Sequence, residues 1–423
     1  MTEAVSATDN KKEQIESTAA WVYTFSVALS PLGPVFHYTL WALCLVLLIA
    51  GSMKYHTSWK IAELSKTGRK ILILLLAAAF WPVFAGLVTF DGMLSYGRNV
   101  TPLIEMCVGA FFAAHFYAAE ERRRTFVSVF CAVSSVILFG NLLRITGIIN
   151  DFPNHALKNG NSLGALALML FPFVLCAVTW TFKELWKKVL IFLPSVLALI
   201  TSFSLGAWGA AFVGFLLFLC YALKYRKIAW KHLFLLLIAV CCCFAAFNIY
   251  TGGKLKQYAA EEFKQADAIH DFDKFTTSRI YAWRAAFDFI AEKPLLGNAG
   301  TAFLDKYDKY RMQYGAELNL PQENRYDHPH STYLYLAYIG GLPTLLLCAA
   351  AFLLCLKKAY LTARTENAVY FPWGIMLLIF LIEIMIYATN GDILQGRRDI
   401  SVMAWCFLGI MAVLPDPAEA KKL

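Results

Sequence analysis

Apolar stretches of about twenty residues recur along almost the whole chain, and they constrain its fold more than any other feature of the sequence. A helix needs about 20 apolar residues to cross the hydrocarbon core of a bilayer. Only 16% of the 423 residues are charged, whereas about a quarter are charged in a typical soluble domain. The sequence therefore predicts an all-α, polytopic membrane protein with about 12 transmembrane helices. The predicted spans are 20–33, 35–52, 70–89, 100–118, 125–147, 161–181, 187–203, 206–223, 232–250, 331–355, 369–389 and 400–414.

The polar segments between and beside these spans divide the chain into five parts. Residues 1–18 are polar and show no cleavable signal, and we expect a disordered cytoplasmic tail there. Residues 19–251 form a membrane domain with the first nine spans, and residues 331–415 hold the last three. Between them, residues 252–330 form a long polar segment whose apolar positions follow a helical pattern. Residues 416–423 are a second cytoplasmic tail.

The basic residues predict how the chain crosses the membrane. The net charge is +9, and most of the lysines and arginines fall in alternate connections. The positive-inside rule places these connections, and both termini, in the cytoplasm, with residues 252–330 on the other side. The charge is therefore a topology signal, and binding of nucleic acid is not expected. The basic connections lie at 54–70, 122–124, 183–188, 224–231, 357–364 and 421–422.

Two of the four arginines in the long segment lie close together, on the side that should be poor in positive charge. Arg279 and Arg284 are five residues apart and lie on different faces of a helix, with Trp283 one turn beyond Arg279. A guanidinium group binds phosphate or pyrophosphate oxygens in pairs, so these arginines are candidates for binding an anionic substrate. The alternative is that they are solvated, or extend to lipid head groups.

Two histidines precede the tenth span in the sequence "DHPHS". His330 and His328 flank a proline immediately before an apolar stretch. A neutral imidazole near pH 7 accepts a proton from an attacking hydroxyl, which makes either histidine a candidate general base. Asp327 is a candidate for orienting one of the rings. The alternative is that both histidines are interfacial residues without a chemical role.

Further ionisable residues fall within the spans or near the predicted non-cytoplasmic surface. Such residues cost free energy in the hydrocarbon and normally face a cavity or a partner. The basic members indicate an anion site, or else they pair with Asp392 and Asp399. No CxxC spacing is present among the eleven cysteines, and no metal site is predicted. The ionisable residues in question are Glu105, Glu383, Arg98, Arg144, Arg397 and Arg398.

Several short motifs together resemble the signature of the O-antigen ligase superfamily. They are Arg279-Ile-Tyr-Ala-Trp283, then "EKPLLGNAG" at 292–300, "HPHS" at 328–331 and "GGLP" at 340–343. The sequence "NGNSLGALAL" at 159–168, which contains Asn161, is similar to a helix start of the same family. The large polar loop between the late spans is also similar to the architecture of that family. Jointly these motifs are more specific than any one of them alone.

The resemblance implies a metal-independent, GT-C-like glycosyltransferase of the inner membrane that needs no cofactor. Its members transfer a glycan from undecaprenyl pyrophosphate to an acceptor hydroxyl, here of a lipid A-core sugar, on the periplasmic face. The motif match assigns the catalytic histidine to His330 and the donor-binding arginine to Arg279. The chain departs from the family pattern at Ser331, where asparagine is usual. It departs again in "SLGAW" at 204–208, where Leu205 replaces an arginine.

The sequence leaves four alternatives open. An O-antigen or exopolysaccharide polymerase shares the motifs and topology, as does a protein O-oligosaccharyltransferase. A transporter or flippase would use the intramembrane charges without His330. A non-catalytic protein that binds lipid-linked glycan is suggested by Leu205. If Leu205 leaves the chain active, another cation replaces the missing arginine, and Arg397 or Arg398 is preferred to Arg98 or Arg144.

Overall fold

The computed structural model describes most of the chain and contains helices but no strand within the described residues. The predicted fold class, an all-α polytopic membrane protein, is confirmed. The described residues are 2–55, 64–89, 93–149, 160–225, 230–254, 256–257, 260–261, 279–317, 325–365, 367–393 and 398–416.

In the described part of the chain, nine helices precede the long loop, two lie within it and three follow it. Residues 177–181 continue α6 with π-helical geometry. The helices are α1 Thr2–Ala28, α2 Pro34–Tyr55, α3 Lys66–Thr89, α4 Met93–Phe116, α5 Glu120–Ile145, α6 Gly160–Cys176, α7 Leu185–Thr201, α8 Leu205–Lys224, α9 Trp230–Tyr250, α10 Arg279–Glu292, α11 Phe303–Tyr314, α12 Thr332–Thr362, α13 Phe371–Tyr387 and α14 Arg398–Val413.

Seven of the helices in the described part of the chain are long and apolar enough to cross a membrane. They are α2, α3, α5, α6, α8 and α12, together with α4 from residue 97 onward. Shorter apolar helices occur at Val240–Tyr250, Phe371–Tyr387 and Ile400–Val413. The prediction of about twelve spans therefore includes helices that are shorter than a full bilayer crossing.

The N-terminus differs from the prediction. Residues 2–28 form one helix, α1, where the sequence predicted disorder up to residue 18. Glu16 is buried at its contact with Arg122 of α5, with 3.7 Å between the charged groups. Because this half of α1 packs against a neighbouring helix, the tertiary contact stabilises a polar segment that would not be helical alone.

The centre of the bundle is formed by α6, α13 and α14. All but two residues of α6 are buried, and α14 packs along α4 while α12 packs along α3. Aromatic rings fill this core, as where Phe173 stacks on Phe407 with the ring centroids 3.9 Å apart. The apolar character around the whole of α6 is that of a helix surrounded by protein.

The two ends of the bundle differ chemically. At one end α3 begins and α12 and α14 end, and the buried ammonium of Lys358 lies 3.5 Å from Asp416 and bonds Ser65 at 3.0 Å. At the other end α6, α8, α10 and α12 begin and α13 ends. That second end carries the predicted site residues.

Candidate active site

The start of α12 is fastened to the turn at 388–391 that follows α13. The backbone N–H of Thr332 donates to the carbonyls of Ala388 at 3.0 Å and Gly391 at 3.1 Å. The hydroxyl of Thr332 donates to Gly391 at 2.9 Å, and that of Ser331 donates to Ala388 at 3.4 Å. Because these bonds fix the two residues after His330, the turn sets where that histidine stands.

Arg279 reaches the same turn from the long loop. It is the first residue of α10, it is partly buried, and its guanidinium donates to the carbonyl of Asn390 at 3.0 Å. Arg279 and the two residues after His330, far apart in sequence, are thus bonded to one turn of four residues.

The start of α8 lies against this turn as well. Gly206 faces the side chain of Asn390 so closely that an added Cβ would lie 3.0 Å from the amide oxygen. Leu205, the residue that replaces the family arginine, is next to it and is 50% exposed. The position of the missing arginine is therefore beside the turn that holds Arg279.

Asn161 ties α6 into the same place. Its side-chain oxygen accepts from the hydroxyl of Ser204 at 3.2 Å, and its carbonyl accepts from the hydroxyl of Tyr387 at 3.1 Å. Ser204 immediately precedes α8 and Tyr387 is the last residue of α13. Asn161, predicted only as an accessory residue, links three helices at this point.

The N-termini of α8 and α12 and the first described residues of α6 and α10 therefore meet around the 388–391 turn, and we call this region the convergence site. It comprises the first residues of α6, α8, α10 and α12 together with the turn. Helix N-termini carry partial positive charge and exposed N–H donors, so together with Arg279 they favour an anion. The carbonyls at the end of α13 are bonded by Thr332 and Arg279, which offsets their opposing negative potential.

His330 is held in a backbone conformation that is rare for its residue type. Its φ is 51°, in the left-handed region that costs about 1–2 kcal/mol for a residue with a Cβ. Its N–H donates to Nδ1 of His328 at 3.0 Å. Its partly exposed ring meets Tyr326 edge-on, with the centroids 5.5 Å apart. Strain of this kind persists where the surroundings enforce it and is common at active sites.

Asp327 lies beside His328. Its carboxylate lies 3.5 Å from Nε2 of His328 and is 67% exposed. The His328 ring is partly buried and tilted against the His330 ring, with 4.1 Å between the centroids.

The glycine pair of α12 forms a joint with the loop that follows α10. The helix is broken at Gly340–Gly341, where the backbone leaves helical geometry. Pro294 accepts from the N–H of Leu342 at 2.8 Å, and the N–H of Asn298 donates to Tyr338 at 2.6 Å. The loop thus supplies hydrogen bonds that the break removes from the helix. This joint connects the helix that carries Arg279 to the helix that follows His330.

Asn99 of α4 and Tyr338 of α12 bond the other side of that loop. The side-chain amide of Asn99 donates to Ala299 at 2.8 Å and to Thr301 at 3.1 Å. The hydroxyl of Tyr338 donates to Thr301 at 2.9 Å. The loop is therefore bonded to two membrane helices and positions α10 rigidly.

The other predicted site residues lie in different surroundings. Arg284 is exposed, and its charge acts on Tyr310 of α11. Arg144 donates to the side chain of Asn141 at 3.1 Å. Trp283 is partly buried, Arg98 is exposed near the start of α4, Arg398 is the first residue of α14, and Arg397 lies outside the described residues.

The two predicted intramembrane acids meet neighbouring helices. Glu105 accepts a hydrogen bond from the hydroxyl of Tyr38 on α2. Glu383 is buried against Gly214 of α8. Neither carboxylate is joined to the convergence site by a contact that the structure describes.

The sequence did not reveal the 388–391 turn, although it organises the site. Its acceptors are backbone carbonyls, which any residue type provides. One signal was present: Asn390 and Gly391 form an Asn-Gly pair, which marks a turn.

An apolar cavity of about 180 Å³ lies beside the turn, between α4, α12, α13 and α14. Thr332 and Ala388 line it at the convergence site, and Phe352 and Leu353 line it further along α12. Leu353 is 58% exposed, so the cavity extends from the site toward the lipid-facing surface of α12.

Comparison with known proteins supports the assignment made from the motifs. Residues 189–349 match the family model described as O-antigen ligase, and no curated protein matches the chain. The matched segment contains Leu205, Arg279 and His330. The family implies glycosyltransferase activity of the ligase or polymerase type, with a lipid-linked glycan and a glycan acceptor as partners. The resemblance to the O-antigen ligase superfamily is therefore confirmed over residues 189–349.

Proposed function

We propose that this protein transfers a glycan from undecaprenyl pyrophosphate to an acceptor hydroxyl of a lipid A-core sugar at the periplasmic face of the inner membrane. The observation that carries the proposal is the attachment of Arg279 and of the residues after His330 to the same 388–391 turn. A donor-binding cation and a general base are thereby available at one place.

The convergence site suits the pyrophosphate of the donor. Charge develops on the leaving pyrophosphate in the transition state, and preorganised donors aimed at that charge stabilise it. Arg279 supplies a guanidinium, and the N-termini of α8 and α12 supply helix dipoles. The apolar cavity next to Thr332 accommodates the first part of the lipid chain, while the rest extends into the bilayer.

His330 acts as the general base. The hydroxyl oxygen of the acceptor attacks the anomeric carbon of the donor sugar, and its proton passes to the His330 imidazole. The bond from that carbon to the pyrophosphate oxygen breaks, and undecaprenyl pyrophosphate leaves with the electron pair on that oxygen. One direct displacement inverts the configuration at the anomeric carbon.

Because leucine stands at position 205 in place of the family arginine, Arg279 is the main cation among the residues described at this site. A second cation is expected to come from the start of α14, which follows the 388–391 turn in the chain. Arg397 or Arg398 is our preferred residue, ahead of Arg98 and Arg144, as the sequence first suggested.

Transfer by the purified protein tests the proposal. Wild-type protein in nanodiscs should release undecaprenyl pyrophosphate from a lipid-linked donor when a core-sugar acceptor is added. Arg279→Ala should lower kcat/KM by well over tenfold, since truncating one partner of a desolvated charge pair costs about 2–5 kcal/mol. Lys309→Ala, which removes an exposed cation from α11, is the matched control and should retain activity.

A deletion strain separates the ligase from its alternatives. Loss of every O-antigen band from lipopolysaccharide supports a ligase, whereas retention of a single repeat on the core indicates a polymerase. Purified protein that binds the donor but releases no pyrophosphate with any acceptor is a non-catalytic binder, and that result contradicts the proposal.

A further inference from the structure

His328 is bonded to the backbone of the residue that we propose as the base. Its Nδ1 accepts from the N–H of His330 at 3.0 Å. Pro329 stands between them and has no N–H of its own, so the bond closes a short turn around a residue with fixed φ. His330, whose N–H makes this bond, is also the residue with φ of 51°. The His328 ring therefore stabilises the unusual backbone conformation of His330.

This hydrogen bond selects one tautomer of the neutral His328 ring. A ring nitrogen that accepts a hydrogen bond carries no proton, so the neutral ring has its proton on Nε2. Nε2 lies 3.5 Å from the carboxylate of Asp327. Asp327 thus favours the tautomer that the bond to His330 requires.

We propose that His328 is a positioning residue for His330, and that transfer requires its neutral form with the proton on Nε2; this rests on the proposed role of His330 as the base. When His328 takes a second proton, Nδ1 becomes a donor and faces the N–H of His330, which is also a donor. The turn then loses the bond that holds φ at its unusual value.

Protonation of His328 acts on His330 in a second way. The ring centroids are 4.1 Å apart, so a positive charge on His328 opposes the arrival of a proton on His330. A general base must gain that proton during the reaction. Both effects lower the rate as pH falls, and both have the same origin in the His328 ring.

The other charged groups nearby are engaged elsewhere. On α11, Asp308 is paired with Arg325 and with Arg311. Arg279 of α10 bonds Asn390. The uncharged phenol of Tyr326 packs on the His330 ring. Within the described residues, the ion pair recorded for His328 is the one with Asp327.

Three substitutions of one residue test the proposal. The side-chain oxygen of His328→Asn can occupy the position of Nδ1 and accept the same hydrogen bond without titrating. His328→Gln has a longer side chain that places its amide near the position of Nε2, and His328→Ala has no acceptor. We expect Asn to restore most of the wild-type kcat. Gln and Ala should lose about tenfold in kcat, with KM changed less than about threefold.

The pH profile of kcat is the decisive measurement. Protonation of either histidine stops transfer, so the acid limb of the wild-type profile should lie at higher pH than that of His328→Asn, in which only the protonation of His330 stops transfer. Profiles of wild type and His328→Asn that coincide, or an Asn variant no more active than Ala, overturn the role of His328.

Nitrogen NMR of ¹⁵N-histidine protein gives a readout independent of transfer. The chain has eight histidines, and the His328 signals are those missing from His328→Asn. At pH 8 the unprotonated nitrogen of His328 should be Nδ1, and a protonated Nδ1 overturns the proposal. Wild-type protein that transfers nothing to any acceptor contradicts the proposed function itself, so the two failures are distinguishable.

Discussion

His330 owes its position to its backbone, whereas Arg279 owes its position to its side chain. The residues after His330 are bonded to the 388–391 turn through the start of α12. Arg279 reaches Asn390 through its guanidinium. Substitution of Arg279 therefore removes a contact as well as a charge, whereas substitution of His330 leaves the bonds of Ser331 and Thr332 in place.

We expect His330→Ala to abolish transfer while donor binding persists. The imidazole supplies the base, and loss of one positioned base costs about 10²–10⁴-fold in rate. His328→Ala should cost less, because it alters the base without removing it. Single-turnover transfer and donor binding are measured on the same purified protein. Near wild-type turnover by His330→Ala would make His330 an interfacial histidine.

Leu205→Arg should be tolerated and should raise activity. Leu205 is half-exposed beside the turn that holds Arg279, so a guanidinium there has room and an anionic partner in the donor. One hydrogen bond to a charged group contributes about 1.5–3 kcal/mol, which corresponds to about tenfold or more in kcat/KM.

Leu216→Arg is the matched control for that substitution. Leu216 lies in the middle of the same helix and is 43% exposed, and an arginine at the centre of a membrane helix costs about 2.5–3.5 kcal/mol. Thermal stability in detergent should therefore fall for Leu216→Arg and not for Leu205→Arg. Equal losses in both variants would mean that Leu205 also faces lipid.

The sequence indicated candidate side chains of the site but not the frame that holds them. Motifs consist of side chains, and they selected Arg279, His330 and Asn161 as candidates. The structure places Arg279, Asn161 and the residues after His330 in one region. The 388–391 turn acts through carbonyl groups, which leave no mark on composition. Asp327 illustrates a related limit, because sequence alone left open which of two histidines it faces.

At the scale of elements, the break in α12 couples the loop to the membrane helices. Gly341 has φ of 67°, and an added Cβ would lie 2.5 Å from the carbonyl of Pro294. Only a residue without a side chain fits both conditions. The joint is therefore sensitive to a single methyl group.

We expect Gly341→Ala to destabilise the protein more than Gly147→Ala. Both glycines have positive φ, and each substitution costs about 1–2 kcal/mol for that reason. Gly147 has φ of 73° and nothing within 4 Å of an added Cβ, so it lacks the overlap with the loop. The overlap at Gly341 adds about 1–3 kcal/mol. Equal melting temperatures for the two variants would show that the loop does not rest on the break.

Hydrophobic periodicity predicted the helices, but not where tertiary contacts extend them. The helical pattern of the long loop corresponds to Arg279–Glu292 and Phe303–Tyr314, while its first part falls mainly outside the described residues. At the N-terminus, α1 extends through a polar segment because α5 packs against it. Periodicity reports the apolar face of a helix and does not register a polar face that contacts a partner.

At the scale of the whole molecule, the structure separates the basic connections from the convergence site. The start of α3, the end of α12 and the end of α14 meet at one end, where Lys358, Asp416 and Ser65 bond to one another. The starts of α6, α8, α10 and α12 meet at the other end. If the basic end is cytoplasmic, as the positive-inside rule predicts, the convergence site faces the periplasm.

Cysteine labelling in intact cells tests this orientation. Met312 of α11 is 82% exposed at the end that carries the site, and Glu184 is exposed at the basic end beside Lys187. The background is a chain in which the exposed Cys220, Cys241 and Cys242 are replaced by serine. We expect a membrane-impermeant maleimide to label Met312→Cys in intact cells with a permeabilised outer membrane, and to label Glu184→Cys only after lysis.

The reverse pattern would be incompatible with the proposed chemistry as well as with the topology. A donor on the periplasmic face cannot reach a base that faces the cytoplasm. Moving a charged pyrophosphate through the hydrocarbon costs far more free energy than binding of the donor supplies. Protection of Met312→Cys together with labelling of Glu184→Cys before lysis would therefore place Arg279 and His330 on the wrong face. If only Met312→Cys is labelled before lysis, the site faces the periplasm. Lipid-linked donors in the periplasmic leaflet are then within its reach.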